Sequence, residues 1–393
     1  MDAVEMQAIA TQRSNYENLQ VRDSEMPPRE RFFATMEFRK PDRIIDCEFG
    51  YWDDTLKRWH SEGLPAYVDS NSKADIFFGF DDWSRSIPVG PYLQPGFERE
   101  IVEKTDRYLV IYDNERVKCQ VFTDGSDTIP HYLEFPVKDK ESYRRLFKGR
   151  LQPKLDERIP PDLAEIGTKV KGRNYVLTAW GGSAAGWLRN WMGFEGVCFG
   201  IYDQPELLDE ILSDIAVTGR AVAEEVVKHM VPDYVNYWED IAFKTGPIVP
   251  PDWYKKKCGP VFRAAMDVYR KAGTKFANVD CDGDMKLLVP TWLESGINVM
   301  FPLEVNSGVH PEDLRKKFPG IRMVGGVDKV VLLKGKDGIK KELLRLKPLV
   351  DEGGFIPHVD HRVQADVSYA DYLYYLEAKR DIFNLPNGIK NEK

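Results

Sequence analysis

Lys275 to Glu304 reads KFANVDCDGDMKLLVPTWLESGINVMFPLE, and this stretch decides the fold. Lys275 to Asp280 is apolar and short enough for a buried strand, 280–284 is an acidic turn, Met285 to Glu294 has helical spacing, and Asn298 to Phe301 is the next strand. The turn sets three carboxylates (Asp280, Asp282, Asp284), the thiol of Cys281 and Gly283 within five residues. Like charges that close repel, so the turn calls for a cation, a shared proton or a reaction that uses them. The second strand ends in another acid, Glu304. Side chains at the C-terminal ends of parallel strands face the ligand site in α/β folds, which is where these acids fall.

The same unit recurs on both sides. Tyr175 to Ala179 predicts a strand running into Trp180-Gly181-Gly182-Ser183, a sequence without the spacing of a phosphate-binding loop. Asp203-Gln204-Pro205-Glu206 predicts a helix start capped by its acid, with Leu207, Leu208, Ile211, Leu212, Ile215, Val222, Val226 and Val227 at helical spacing in a helix to about His229. Asp233 to Tyr237 is a strand ending in Trp238-Glu239-Asp240, and Pro251 to Ala272 a helix. Further on come a helix over His310 to Phe318, a strand from Ile321 to Val324, a helix over Gly338 to Val350 and a strand from Gly354 to Pro357. The last runs into His358-Val359-Asp360-His361. Ser368 with Asp371 opens a helix to Phe383. Upstream, Arg29 to Met36 predicts a short helix and Arg43 to Phe49 a strand ending in Glu48, Tyr51, Trp52, Asp53 and Asp54.

Repeated strand–loop–helix units without a second half of different composition predict an α/β fold, a single (β/α)8 TIM barrel. The expected organisation is an N-terminal arm, 1–28, and the barrel, 29–393. Residues 77–137 are expected to form a small antiparallel β-rich insertion over the barrel mouth, because Tyr108 to Tyr112 and Arg116 to Phe122 flank the turn signal Asp113-Asn114-Glu115, with Tyr132 to Val137 as a third strand.

Across its 393 residues the chain is 42% hydrophobic and 30% charged, with a formal net charge of −8. That balance argues against a nucleic-acid partner or an anionic membrane surface, both of which need a basic face. No apolar run approaches the roughly 18 to 20 residues of a membrane span, and the opening MDAVEMQAIATQRSNYENLQ is acidic where a secretory leader is basic and then apolar. The five cysteines lack CxxC spacing, so free thiols in a cytoplasmic setting are expected.

Four strand ends converge by topology: Glu239 and Asp240, Asp280 with Asp282, Glu304, and His358, Asp360 and His361. An Asp/Asp/Glu/His set suits zinc or another borderline divalent ion with an open position, held by Asp280, Asp282, Glu304 and His361. Without a metal, one acid holds a proton and serves as a general acid. Glu239, Asp240, Asp282 and His361 are therefore the candidate catalytic groups, and Tyr51, Trp52, Trp180, Trp238 and His358 the candidate substrate contacts. Cys281 reads as a buried small residue, since acidic neighbours disfavour its thiolate.

Several motifs together resemble the uroporphyrinogen decarboxylase-like superfamily: WLRNWMGFEG (187–196), YDQPELLDEIL (202–212), YVNYWEDIAFKTGPIVPP (234–251), NVDCDGDMKLLVPTWLESGINVMFPLE (278–304), RMVGGVDK (322–329) and GGFIPHVDHRVQADVSYADYLYYLE (353–377). The resemblance implies one (β/α)8 barrel with its site at the C-terminal face. Uroporphyrinogen decarboxylases carry an arginine-rich segment after the first strand; here that place reads Glu48-Phe49-Gly50-Tyr51-Trp52-Asp53-Asp54, and acids there are expected to repel a polycarboxylate. The corrinoid-dependent methyltransferases, the superfamily's other large branch, include coenzyme M enzymes that bind zinc through HxC and a later Cys. Matching those motifs puts Asp280 at the His, Asp282 at the first Cys and His361 at the second, harder ligands that suit an oxygen-bearing substrate.

The resemblance thus implies the O-demethylase branch: transfer of a methyl group from a methyl ether, such as a methoxylated aromatic, to the Co(I) corrinoid (cobalamin) of a partner corrinoid protein, with zinc as the candidate metal. The chain lacks the loop with which corrinoid proteins ligate cobalt. A homodimer is the oligomer considered. The alternatives are a decarboxylase acting on another substrate and a non-catalytic tetrapyrrole or corrinoid binder.

Overall fold

The computed structural model describes residues 16–21, 25–124 and 129–389. Its centre is a curled sheet of seven parallel strands: β1 (Ser84–Ser86), β6 (Val176–Gly182), β7 (Tyr234–Trp238), β10 (Phe276–Asp280), β11 (Val299–Phe301), β12 (Arg322–Val327) and β13 (Phe355–Val359), hydrogen-bonded in that order. Helices follow most strands and cover the outer face, the α/β arrangement expected of repeated crossovers. A second, antiparallel sheet of four strands holds β2 (Glu100–Lys104), β3 (Tyr108–Tyr112), β4 (Lys118–Phe122) and β5 (His131–Glu134). Between β7 and β10 a two-residue-arm hairpin forms from β8 (Ala242–Phe243) and β9 (Gly246–Pro247).

Alternation along the strands sorts their side chains. Val176, Tyr234, Phe276, Val299 and Ile356 form one apolar layer with Ile45, closed from below by Phe32 and Met36 of the helix Pro28–Met36. That helix plugs the N-terminal end of the sheet, and Phe32 is T-stacked on both Tyr234 and Phe276. Two residues further along each strand the same face turns polar, at Thr178, Asn236 and Asn278; Asn236 and Asn278 are in register across β7 and β10, while the stagger of β6 sets Thr178 opposite Tyr234 and Trp180 opposite Asn236. Two further still stand Trp238 and Asp280, paired directly across β7 and β10.

Several elements differ from those expected of the sequence. Arg43 to Phe49 is not a ladder strand; 44–50 lies along the sheet edge through the N–H of Val359 donating to Glu48, the N–H of Asp81 donating to the Asp46 carbonyl and a parallel bridge from Tyr51 to Val363. Charges anchor it as well: Lys379, with no exposed side-chain surface, donates to Glu48 at 2.7 Å and lies 3.0 Å from Asp46, while Arg380 donates to Asp46 at 2.9 Å. The β-rich stretch is shorter than 77–137: Phe77 and Phe78 end a helix and β1 belongs to the parallel sheet. Its first strand, β2, is exposed throughout and so lacks the alternation that marks a strand in sequence.

Asp203 closes the helix Ala185–Asp203 and caps nothing; the next helix, Pro205–His229, begins after Gln204. Pro251 to Ala272 breaks into Pro251–Lys257 and Gly259–Ala272 at Cys258, because Pro260 lacks the N–H to continue. The helix after the acidic turn starts at Val289, since Met285 and Lys286 are held in turn geometry by Gly283 and Asp284. The N-terminal arm falls mostly outside the described residues; 16–21 has no helix and is tied to the strands by Tyr16 donating to the Ser86 carbonyl.

Candidate active site

The C-terminal ends of β7, β10, β11 and β13 bring most of the expected acids together. Asp240, Asp280 and Asp282 each offer a ligand oxygen within 4.8 Å of the others, and Asp282, Glu304 and His361 do the same with two oxygens and an imidazole nitrogen. Asp282 belongs to both groups. Burial, followed by repulsion from Asp282, raises the Asp240 carboxyl, and burial with repulsion from Asp240 and Asp282 raises Asp280 well above the carboxylate range. Burial and mutual repulsion thus favour protonation of Asp240 and Asp280, or a cation between them.

Specific contacts fix each arm. The N–H of Asp282 donates to Asp240 Oδ1 at 3.0 Å. His361 Nε2 stands 3.3 Å from Asp282 Oδ2, and its ring is stacked on Trp52. Glu304 accepts from the Gly283 N–H at 2.9 Å on one oxygen and from Lys329 Nζ at 2.8 Å on the other. Gly283 has φ +80, and a Cβ there would meet the Ala242 carbonyl oxygen at 2.4 Å, so only glycine lets the turn approach the hairpin. Asp240 itself has φ +44. Arg189 braces it, donating to its carbonyl and lying over the Trp238 ring at 5.3 Å.

Beneath the cluster is an aromatic floor. Phe49 and Phe301 stand edge to face at 4.7 Å, Phe301 and His358 at 5.5 Å, and Phe49 and His361 at 5.7 Å. Burial lowers the His358 imidazolium to about 4, so the ring is neutral and holds the Val359 carbonyl through Nδ1 at 2.7 Å.

Not every predicted residue arrives. Tyr51 is fully buried among Trp59, Phe78 and Tyr372 and shares a hydrogen bond with the Tyr372 hydroxyl, so it is core. Its neighbour Trp52 takes the other side of the chain and reaches His361. Glu239, adjacent to Asp240, turns to the outer side, where Oε1 accepts from Ser183 Oγ and the Ala184 N–H ahead of the helix Ala185–Asp203. Burial raises its carboxyl to about 7. Asp360 likewise leaves the cluster to accept from the N–H groups of Val305 and Lys329. Trp180 shares the inward face of β6 with Val176 and Thr178 and packs by Gly90.

Glu48 is sequestered by Lys379 and Tyr375, so the repulsion expected of it is not exerted at the site. Asp53 and Asp54 open the helix Asp53–Ser61. Sequence reasoning missed Arg189, Lys329, Phe49 and Phe301. The first two lie inside motifs, WLRNWMGFEG and RMVGGVDK, whose basic residues were the available signal.

No protein-family model matches the chain, and no curated protein matches its sequence. Among solved structures it is similar to a methyltransferase from Methanosarcina mazei, at 14% identity and a TM-score of 0.58, over 92% of this chain and 100% of that one. That likeness shows a shared fold. A B12-independent methionine synthase from a Shewanella species is 13% identical at a TM-score of 0.32, covering 73% of this chain and 74% of that chain, too distant to carry an argument. Among the described residues no helix is long and apolar enough to cross a membrane.

The residues present fit a divalent ion. Asp282 Oδ1 and His361 Nδ1 are buried without a hydrogen-bond partner, and an oxygen, oxygen and imidazole donor set suits zinc or a similar ion. Beside the cluster, Phe243, Phe194 and Leu287 are exposed, the two phenylalanines in contact at 5.5 Å.

Proposed function

We propose that this chain is a substrate-side methyltransferase that moves a methyl group from a methyl ether, such as a methoxylated aromatic, to the Co(I) corrinoid of a partner protein. The observation that carries the reading is the grouping of Asp282, Glu304 and His361 beside the mutually repelling Asp240 and Asp280, over an aromatic floor, at the C-terminal ends of a parallel sheet. The shared fold with a methyltransferase supports it. The accompanying fold reading is a full (β/α)8 barrel with 44–50 as the eighth stave, supported by the Tyr51–Val363 bridge, and with the antiparallel sheet as a mouth insertion.

The difficulty of ether cleavage is the poor leaving group, so the chain's task is to place a proton at the ether oxygen. The exposed edge of Trp52 walls the place of the flat substrate, Trp238 backs it from beneath Arg189, and Arg189 and the Asp282 N–H keep Asp240 aimed. As the methyl carbon takes the acceptor's electron pair, the C–O pair remains on oxygen, and the proton shared by Asp240 and Asp280 passes to it, giving a phenol or alcohol. Asp282, Glu304 and His361 would hold a divalent ion, which when bound supplies a Lewis acid for the same oxygen. The exposed Phe194, Phe243 and Leu287 give the partner's macrocycle an apolar rim.

The test is to mix the purified protein with Co(I) cobalamin and aryl methyl ethers, follow loss of Co(I) absorbance and phenol formation, and assay metal by elemental analysis. Methyl transfer that falls at least 100-fold in the Asp282→Ala, His361→Ala double variant is expected. Carbon dioxide release from a carboxylated probe without methyl acceptance would replace the reading with decarboxylation.

A further inference from the structure

We infer that Lys329 is a built-in counter-cation for Glu304, competing with the metal and setting how tightly the cluster binds it; this rests on Asp282, Glu304 and His361 being a metal site. The arms of the cluster are unequally satisfied. Asp282 Oδ1 and His361 Nδ1 have no hydrogen-bond partner. Glu304 is complete: Oε1 accepts from Lys329 Nζ at 2.8 Å, and Oε2 accepts from the Gly283 N–H at 2.9 Å and from Ser307 Oγ at 3.3 Å. Both side chains of the ion pair are mostly enclosed, at 17% and 16% exposure, so water screens them little.

Lys329 is placed there by its backbone. Its N–H donates to Asp360 Oδ1 at 2.9 Å, and Asp328 accepts from the Val330 N–H at 2.9 Å, fixing the turn after β12 from which the ammonium reaches across to β11. A dication that takes Glu304 as a ligand arrives within a few ångströms of this ammonium, and the two cations repel in a poorly screened place. Either the flexible lysine stem withdraws or the metal is held by two arms alone. Both weaken binding. The consequence is a site that stays folded and neutralised without its metal and exchanges the ion readily, where a lysine-free cluster would hold it tightly.

The test titrates zinc chloride against a competing chelator in the wild type, Lys329→Met, Lys329→Arg and the Asp282→Ala, His361→Ala variant, with circular dichroism confirming that each is folded and Lys329→Gln replacing the methionine variant if that one is not. The expected result is zinc binding tightened about 10- to 100-fold in Lys329→Met, the scale on which groups contacting a metal ligand act, near wild type in Lys329→Arg, and abolished in the double variant. Binding by Lys329→Met alone, with none in the wild type, supports the same role in a stronger form. Equal or weaker binding by Lys329→Met overturns the role of Lys329 and leaves the metal site standing. Absence of zinc from both the wild type and Lys329→Met overturns the metal site and this inference together.

Discussion

The indole of Trp52 is stacked on the imidazole of His361, with ring centroids 5.6 Å apart and planes 28° apart, and the Arg362 guanidinium lies over the same indole at 5.3 Å. Sequence order hides this contact, since 309 positions separate the two rings. It makes Trp52 a positioning residue for His361 in addition to the substrate contact proposed for it. Trp52→Ala is expected to cost about 1 to 2 kcal/mol of stability, the scale of one aromatic pair and one cation–π contact. Zinc affinity should fall with it. Thermal denaturation and zinc titration on one preparation check both, and unchanged zinc affinity would return Trp52 to a substrate contact alone.

Arg189 braces a backbone that an aspartate seldom adopts. Asp240 at φ +44 is held at its carbonyl by Arg189 and at its carboxylate by the Asp282 N–H. Such strain is of order 1 kcal/mol or somewhat more and persists only when neighbours impose it. Arg189→Met should let Asp240 relax, lowering methyl transfer about 100-fold, the effect of a small misplacement of a reacting group. Chemical denaturation should show stability within about 1 kcal/mol of wild type. A large loss of stability with unchanged turnover of the folded fraction would assign Arg189 to the scaffold.

The anchoring of 44–50 depends on charges that water does not reach. Removing Lys379 leaves Glu48 and Asp46 enclosed, with the Tyr375 hydroxyl and Arg380 as the remaining side-chain donors. Breaking such a pair from one side costs about 3 to 5 kcal/mol, whereas neutralising both partners costs less. Lys379→Met should therefore lower the urea midpoint strongly, and the Lys379→Met, Glu48→Gln double variant should recover part of the loss. A double variant no more stable than the single one would show that packing, not the charge, is what Lys379 supplies.

Buried acids set the direction of the pH dependence of stability. Burial lifts Glu239 from its ordinary 4.5 to about 7, so between those values the folded protein keeps a proton that the unfolded chain has released. Stability linked to Glu239 is then complete below about pH 4.5 and lost as pH rises through about 7. Asp360, also raised to about 7 by burial, acts in the same direction. Glu239→Gln should flatten the decline in unfolding free energy between pH 5 and pH 8 by up to about 3 kcal/mol, on the scale of 1.36 kcal/mol per pH unit. An unchanged slope in urea titrations at the two values would show that Glu239 titrates normally.

Local pattern alone made most of the framework legible. The strand and acidic turn at 276–284, the helices Pro205–His229 and Tyr369–Phe383 with its Ser368 cap, and the hairpin around Asp113 to Glu115 follow from periodicity and capping chemistry, which act over a few residues. Placement of acids at strand ends followed too, because parallel topology dictates it. What the sequence left open is which way adjacent side chains turn where a strand ends. Glu239 and Asp240, Tyr51 and Trp52, and Asp360 and His361 are neighbours in the chain, yet one member of each pair turns into the scaffold and the other to the candidate site. The choice belongs to tertiary structure because each buried polar group goes where partners from distant elements satisfy it: Ser183 and Ala184 for Glu239, Tyr372 for Tyr51, and the backbones of Val305 and Lys329 for Asp360.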